Sequence, residues 1–330
     1  MGQIKTAVSL YSYQDEYVRG KMTLEDCIKE LHELQVKGVE LLPDQMLHKA
    51  PFVADEDIKK WHAILGKYNI VPVCNDIFIN TKLYNNRILT HDENLEFLKN
   101  ELRLAHKLGM RLVRLVSMTP TDIIADALPL AEELNVAMAL EVHAAMSFDI
   151  PQTKAFTDIM FQLDSPYVGL VIDTGIFCRR FPRVAKEYFL QQGLTKELAE
   201  YIDKIYLEHE CITSFTIPET MPADLKRLIK SDVDELYVVL ADGYENRPFN
   251  ILDKYYPYIK HFHGKAYEMT EAGVEYSIDY KGLIDYLKHK NYDGYIATEY
   301  EGGRFALPGV NVEAVSQVRA QQKMFREYIS

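Results

Sequence analysis

A chain of 330 residues, 48% of them hydrophobic, is long enough to bury a full core and does not call for a second domain. Its 49 acidic residues against 37 basic ones leave a formal charge of -12, and no Lys/Arg cluster stands out, which disfavours a nucleic-acid or anionic-membrane partner. The opening MGQIKTAVSLYSY lacks the long apolar stretch of a signal peptide, and no run approaches the length of a membrane span, so a soluble cytoplasmic protein is expected.

Strand-like and helix-like segments alternate along the chain. TAVSLYSY (6–13) reads as a strand and leads into MTLEDCIKELHELQVKG. There Leu24, Ile28, Leu31 and Leu34 share one helical face, with Thr23 as N-cap and Gly38 as stop. VELLPDQ (39–45) precedes the helix DEDIKKWHAILGKY, and NIVPVCNDIF (69–78) precedes the long helical stretch HDENLEFLKNELRLAHKLG. MRLVRLVS (110–117) is followed by PTDIIADALPLAEELN, and the theme repeats with VAMALEVH, YVGLVIDTG, IKHFHGKAY and YIATEYEGG before a closing helix around VEAVSQVRAQQKMFREY. Eight short apolar strands separated by helices predict parallel pairing, and eight of them favour a closed (β/α)8 TIM barrel, α/β in class, over an open sheet. No GxGxxG follows an early strand, which removes the main reason to expect a dinucleotide fold. Residues 1–330 are thus expected to form one TIM-barrel domain, interrupted between the sixth and seventh strands by an insertion at roughly 176–258 on the catalytic rim. Such a segment is a place for a lid or a subunit contact. Cys27, Cys74, Cys178 and Cys211 form no CxxC pair and read as buried thiols rather than a disulfide framework or structural zinc.

Four chemically apt residues close four successive strands: Glu141 in MALEVH, Asp173 in GLVIDTG, His263 in IKHFHGKA and Glu299 in YIATEYEG. One carboxylate at a strand end is usually a loop cap, but the last residues of buried parallel strands emerge at one rim, where four can converge on a point. Three carboxylates and one imidazole suit a hard or borderline divalent cation, Mn²⁺ before Mg²⁺ or Co²⁺.

From SLYSY through GVELLP, ALEVH, GLVIDTG, HFHGKA and ATEYEG the chain resembles the xylose-isomerase-like, or sugar phosphate isomerase/epimerase-like, metal-dependent TIM barrels. The resemblance implies a metal held by Glu141, Asp173, His263 and Glu299. His263 carries the match as the second His of the HxH pair. Strand alternation puts His261 on the same side, so it stays a competing ligand. Lys265, in the HxHxK pattern, looks like a substrate-binding or electrostatic residue. The ketose 3-epimerase branch usually has a His three residues after the metal Asp and often a Glu six residues after the first metal Glu. Ile176 and Ser147 stand there instead.

What this chain has is His143, two residues past Glu141 and on the same strand face, a natural general base or else a structural histidine. This ExH arrangement, the long insertion and the SLYSY opening resemble the large (α) subunit of bacterial C-glycoside deglycosidases. That resemblance implies a metal-dependent carbon–carbon lyase acting on 3-oxo-C-glycosides of plant polyphenols, in a hetero-oligomer with a small β subunit. His143 would take the C2 proton, and Glu299 and Lys265 are further catalytic candidates. Glu301 and rim tyrosines also stay open for the second acid/base. A sugar isomerase or 3-epimerase working through an ene-diolate is the alternative enzyme, with Arg114, Arg179, Arg180 and Arg304 available for a phosphate. A noncatalytic sugar-binding or assembly subunit is the alternative of another class.

Overall fold

The computed structural model describes residues 2–208 and 221–330. Eight strands, β1 (Lys5–Ser9), β2 (Gly38–Leu41), β3 (Val71–Ile77), β4 (Leu112–Leu115), β5 (Ala137–Val142), β6 (Val168–Asp173), β7 (Ile259–Ala266) and β8 (Tyr295–Tyr300), pair in parallel in chain order, and β8 returns to β1. The result is the closed TIM barrel that the alternation predicts.

Local chemistry fixes the start of two long helices. Thr23 Oγ1 accepts from Asp26 N while the Asp26 carboxylate accepts from Thr23 N, a capping box that opens the helix Leu24–Glu33. Thr90 and Glu93 do the same for His91–Lys107. Several expected boundaries shift, and the second strand, expected to run to 45, ends at Leu41 before a short helix, Pro43–Met46. The first strand ends at Ser9 rather than running to 13, because Ser12 Oγ donates to the Thr298 carbonyl and accepts from Tyr300 N, holding residues 10–13 as a 3-10 turn against β8. The first long helix stops at Glu33, with Gln35 left-handed at φ 59°, and Gly38 instead begins β2. A Cβ there would meet Val73 at 2.7 Å, so the residue is set by packing between strands and not by helix termination.

Side chains of alternate residues point into the barrel, and they form layers. Cys74, Leu112, Ala139 and Val171 make a small apolar layer, separate from the large core between strands and helices. Two residues further along these strands come Asp76, Arg114, Glu141 and Asp173, all buried, joined by Glu40 from β2, His261, His263 and Lys265 from β7 and Glu299 from β8. The polar layer lies at the C-terminal end of the strands.

The described part of the insertion between β6 and β7 holds four helices, Arg183–Gln191, Lys196–Glu208, Ala223–Leu228 and Asp232–Gly243. Cys211 lies outside the described residues; Cys27, Cys74 and Cys178 are free and buried. Among the described residues no helix is long and apolar enough to cross a membrane.

Candidate functional site

His263 stands at the centre of the polar layer. Its Nδ1 lies 2.6 Å from Glu141 Oε1 and 3.0 Å from Glu299 Oε2, and its Nε2 lies 3.2 Å from Glu40 Oε1. One donor atom each from Glu141, His263 and Glu299 falls within 4.8 Å of the other two, all buried, a spacing a cation can draw in. The fourth residue of the predicted set, Asp173, meets the others through Lys265, whose Nζ is 3.1 Å from Asp173 Oδ2, 2.8 Å from Glu299 Oε2 and 3.4 Å from Glu301 Oε2. Gly175 N donates to Asp173 Oδ1 at 2.7 Å. A Cβ at Gly175 would come 3.0 Å from that oxygen, so glycine lets the chain turn this closely over the carboxylate.

Glu40 is a participant that the sequence reading missed. Its Oε2 is 2.8 Å from His261 Nε2, so one buried carboxylate engages the Nε2 atoms of both histidines of the HxH pair. His263 is thereby left with Nδ1 on the side of Glu141 and Glu299, whereas His261 groups with Glu40 and with His263 itself. A carboxylate on the far nitrogen of a ligand histidine fixes its tautomer and raises its basicity. Arg114 is likewise interior, with Nε 3.0 Å from Asp76 Oδ1 and Nη1 3.6 Å from Glu141 Oε2. Arg179 and Arg180 are exposed; Arg179 pairs with Asp279, outside this layer.

The electrostatics are those of five carboxyl groups, Glu40, Asp76, Glu141, Asp173 and Glu299, around two permanent cations, Arg114 and Lys265. Burial raises the Glu299 pKa, but Lys265 and His263 overcome it and hold the group down at about 2. Burial dominates at Asp173, pushing it up to about 6 despite Lys265. Glu141 stays well below the carboxylate range because Arg114 and His263 outweigh its desolvation. Asp76 goes well above it, through burial first and Glu40 beside it. Desolvation alone would lower the pKa of His263, yet Glu40, Glu299 and Glu141 raise it well above that of free imidazole. Glu299 Oε2 is buried between His263 Nδ1 and Lys265 Nζ, and His263 Nε2 is buried against Glu40 Oε1. Buried carboxylate oxygens converging with an imidazole nitrogen in an acidic surround fit a divalent cation.

His143 follows β5 at the edge of the same cavity, a space of about 470 Å³ whose wall includes Glu141, Asp173, Lys265, Glu299 and Glu301. Its Nδ1 is 2.6 Å from the Ala144 carbonyl, and because a carbonyl only accepts, Nδ1 carries the proton. Nε2 is the basic nitrogen and takes the hydroxyl hydrogen of Ser117, 3.0 Å away. The insertion supplies the roof: Val239, Leu240, Gly243 and Tyr244 line the cavity, and Ala145 N donates to the Gly243 carbonyl at 2.8 Å. A Cβ at Gly243 would stand 3.1 Å from Ala145 Cβ, so the roof is seated directly on the loop that carries His143. Ile176 and Ser147 are both buried.

Residues 28–209, more than half of the chain and all of β2–β6, match the model of the xylose isomerase-like TIM barrel family. The chain belongs to that family. Its curated relatives include the 3'-dehydrocarminate deglycosidase alpha subunit of a Microbacterium species, 25% identical with 98% of this chain and 96% of the relative covered. A C-glycoside deglycosidase alpha subunit of Arthrobacter globiformis is 26% identical over 89% of this chain and 83% of that protein. Among solved structures of the same fold, D-psicose 3-epimerase from Clostridium cellulolyticum H10 superposes with a TM-score of 0.58 at 13% identity, covering 98% of this chain and 99% of that one. Within this xylose isomerase-like family the chain is thus similar, nearly end to end, to proteins named as alpha subunits.

Proposed function

We propose that the chain is the catalytic α subunit of a C-glycoside deglycosidase, a cytoplasmic, metal-dependent lyase that cleaves the carbon–carbon bond between a 3-oxo sugar and the aromatic ring of a plant polyphenol. The observation that carries the reading is His143: an imidazole whose Nδ1 donates to the Ala144 carbonyl and whose Nε2 pairs with no carboxylate among the described residues, next to Glu141 in a cavity of carboxylates. The end-to-end similarity to deglycosidase alpha subunits supports it and favours it over an isomerase or a noncatalytic barrel. Their designation as alpha subunits supports a small β subunit as partner in a hetero-oligomer.

Glu141, His263 and Glu299, with Asp173 behind Lys265, are the residues that would hold the metal, Mn²⁺ in the first instance. A divalent cation there supplies Lewis-acid charge that stabilises negative charge developing on the ketone oxygen, worth several kcal/mol.

The ketone at C3 makes the C2 hydrogen acidic. His143 Nε2 takes that proton, and the electron pair moves into the C2–C3 bond as the C3 oxygen becomes anionic. General-base help from a positioned imidazole contributes about 10²- to 10⁴-fold. When the C3 carbonyl re-forms, the C1–C2 double bond forms and the bond from C1 to the aromatic carbon breaks. The electron pair leaves with the aromatic carbon, which takes up a proton. Lys265, held as an ammonium ion by Asp173, Glu299 and Glu301, keeps these carboxylates in place and offers a donor to sugar hydroxyls. The insertion's roof limits water around His143.

The test is aglycone release from a 3-oxo-C-glucoside, followed by chromatography, with the Mn²⁺-supplemented chain alone and with a coexpressed small partner. Release that depends on the partner supports the proposal. Absence of release from both preparations, together with isomerisation or epimerisation of a free ketose by the single chain, overturns it in favour of the sugar isomerase reading.

A further inference from the structure

The cavity beside His143 is one of two that share a wall. A second, of about 330 Å³, opens between the turn after β1 and the loop after β8. Tyr11, Glu301 and Arg304 line both, so the boundary between them is made of these three side chains. The two lobes differ in chemistry. The first presents carboxylates, Lys265, Arg114 and His143, partners for a hydroxyl-rich ring. The second adds Tyr300, Val312 and the largely exposed Val18, which offer ring and apolar surface, beside the polar Ser12, Gln14 and Asp15. Its floor is close-packed: a Cβ on Gly303 would lie 2.9 Å from Val312 Cγ1 and 3.6 Å from the Tyr300 ring, so only glycine lets the loop sit against both. Its volume is at the lower end of the roughly 300–1,000 Å³ of small-ligand sites.

At the boundary Glu301 is half-buried and oriented from both sides. Its Oε2 faces Lys265 Nζ at 3.4 Å, its Oε1 accepts from Arg304 Nη1, and its backbone N donates to the Ala266 carbonyl at 2.8 Å. A carboxylate flanked by two cations is an acceptor only, and its complement is a hydroxyl donor on whatever crosses the boundary.

Building on the lyase reading of the first lobe, we infer that the second lobe is the subsite for the phenolic ring of the substrate, with Glu301 accepting a hydrogen bond from the ring hydroxyl next to the bond that breaks. The sugar then lies on the His143 side and the aromatic ring on the Tyr300–Val312 side, and the scissile bond passes between Tyr11 and Glu301. Glu301 acts here in positioning and selection: it favours ring systems with a free hydroxyl beside the glycosidic carbon over methylated ones. A hydroxyl donor lost from such a polar contact commonly costs tenfold or more in affinity.

The experiment has two arms that separate this subsite from the lyase reading. In the first, binding of phloroglucinol and of 1,3,5-trimethoxybenzene to the full Mn²⁺-supplemented chain is measured by saturation-transfer NMR, for wild type, Val312→Trp and Glu301→Gln. Phloroglucinol binding weakened at least tenfold by Val312→Trp, and a preference for phloroglucinol over the trimethoxy compound that Glu301→Gln abolishes, are the results expected. In the second, run on the chain coexpressed with its small partner, deuterium exchange at C2 of 3-oxoglucose in D2O reports the sugar lobe. In Val312→Trp, KM for a 3-oxo-C-glucosyl phenol must rise at least tenfold more than any change in that exchange. No phloroglucinol binding to wild type, or equal binding by Val312→Trp, overturns the subsite. Retained phloroglucinol binding with no C2 exchange by wild type overturns the lyase reading and leaves the phenol site standing.

Discussion

Replacing Lys265 by Met keeps the length and apolar stem of the side chain and removes its charge. In the native site the ammonium is buried and lies 2.8 Å from Glu299, 3.1 Å from Asp173 and 3.4 Å from Glu301. Removing one partner of a buried ion pair costs about 3–5 kcal/mol, because the remaining charge stays desolvated and uncompensated. With an unfolding entropy of about 2.1 cal/mol/K per residue over 330 residues, that corresponds to a fall in Tm of about 4–7 °C. The direction with pH follows from the same groups. Lys265 lowers the pKa of Glu299 and of Asp173, so its loss moves both upward, Asp173 still further above its value in the unfolded chain, and the folded variant holds protons to higher pH than wild type does. Stability of Lys265→Met therefore falls as pH rises, and its deficit against wild type is larger at pH 8 than at pH 5. A divalent cation neutralises the same carboxylates, so Mn²⁺ should raise the Tm of the variant more than that of wild type. Differential scanning calorimetry at both pH values, with Mn²⁺ and with chelator, reads all of this. An unchanged Tm, or equal Mn²⁺ shifts in the two proteins, would refute the idea that Lys265 and the metal share one set of carboxylates.

Three further outcomes are expected. His143→Ala should lower turnover of a 3-oxo-C-glucoside by about 10²- to 10⁴-fold while metal content, read by atomic emission, stays at the wild-type level; loss of metal in this variant would make the histidine a ligand or its support. Away from the site, Glu101 is buried on the helix His91–Lys107 with Asn75 Nδ2 donating to it at 3.2 Å, and desolvation pushes its pKa up to about 7. The folded state keeps a proton that the unfolded chain loses at lower pH, so stability falls by about 3 kcal/mol as pH rises through this window, and Glu101→Gln should flatten that part of the profile in urea melts at pH 5 and pH 8. Glu40→Gln should weaken Mn²⁺ binding by about 10- to 100-fold through the histidine it orients, with calorimetric titration as the readout and unchanged affinity as the contrary result.

The barrel was legible because the strands are short, mostly apolar runs that alternate with helical stretches, the first of which opens on a recognisable cap at Thr23. The strand-end set was legible for the same reason: Glu141, Asp173 and Glu299 are polar interruptions at the ends of runs that are otherwise buried. The deeper part of the layer carried no such mark. Glu40 in GVEL and Asp76 in CNDI sit at ordinary alternation positions, and one of the two histidines that Glu40 engages, His261, is 221 residues away. Barrel closure brings them together, and nothing local announces it. Lys265 was visible as part of HxHxK, but its place between Asp173 and Glu299 depends on three strands meeting. The roof was obscured for a different reason: the seat of helix Asp232–Gly243 over His143 depends on the close approach of Gly243 to Ala145.

The most direct test of the site is Mn²⁺ titration of the chelator-stripped protein followed by electron paramagnetic resonance, for wild type and Glu141→Gln. One bound Mn²⁺ per chain in wild type, with affinity at least tenfold weaker in the variant, is the predicted result. Absence of a bound Mn²⁺ signal in wild type, or identical titrations for the two proteins, would contradict a metal centre built on Glu141, His263 and Glu299.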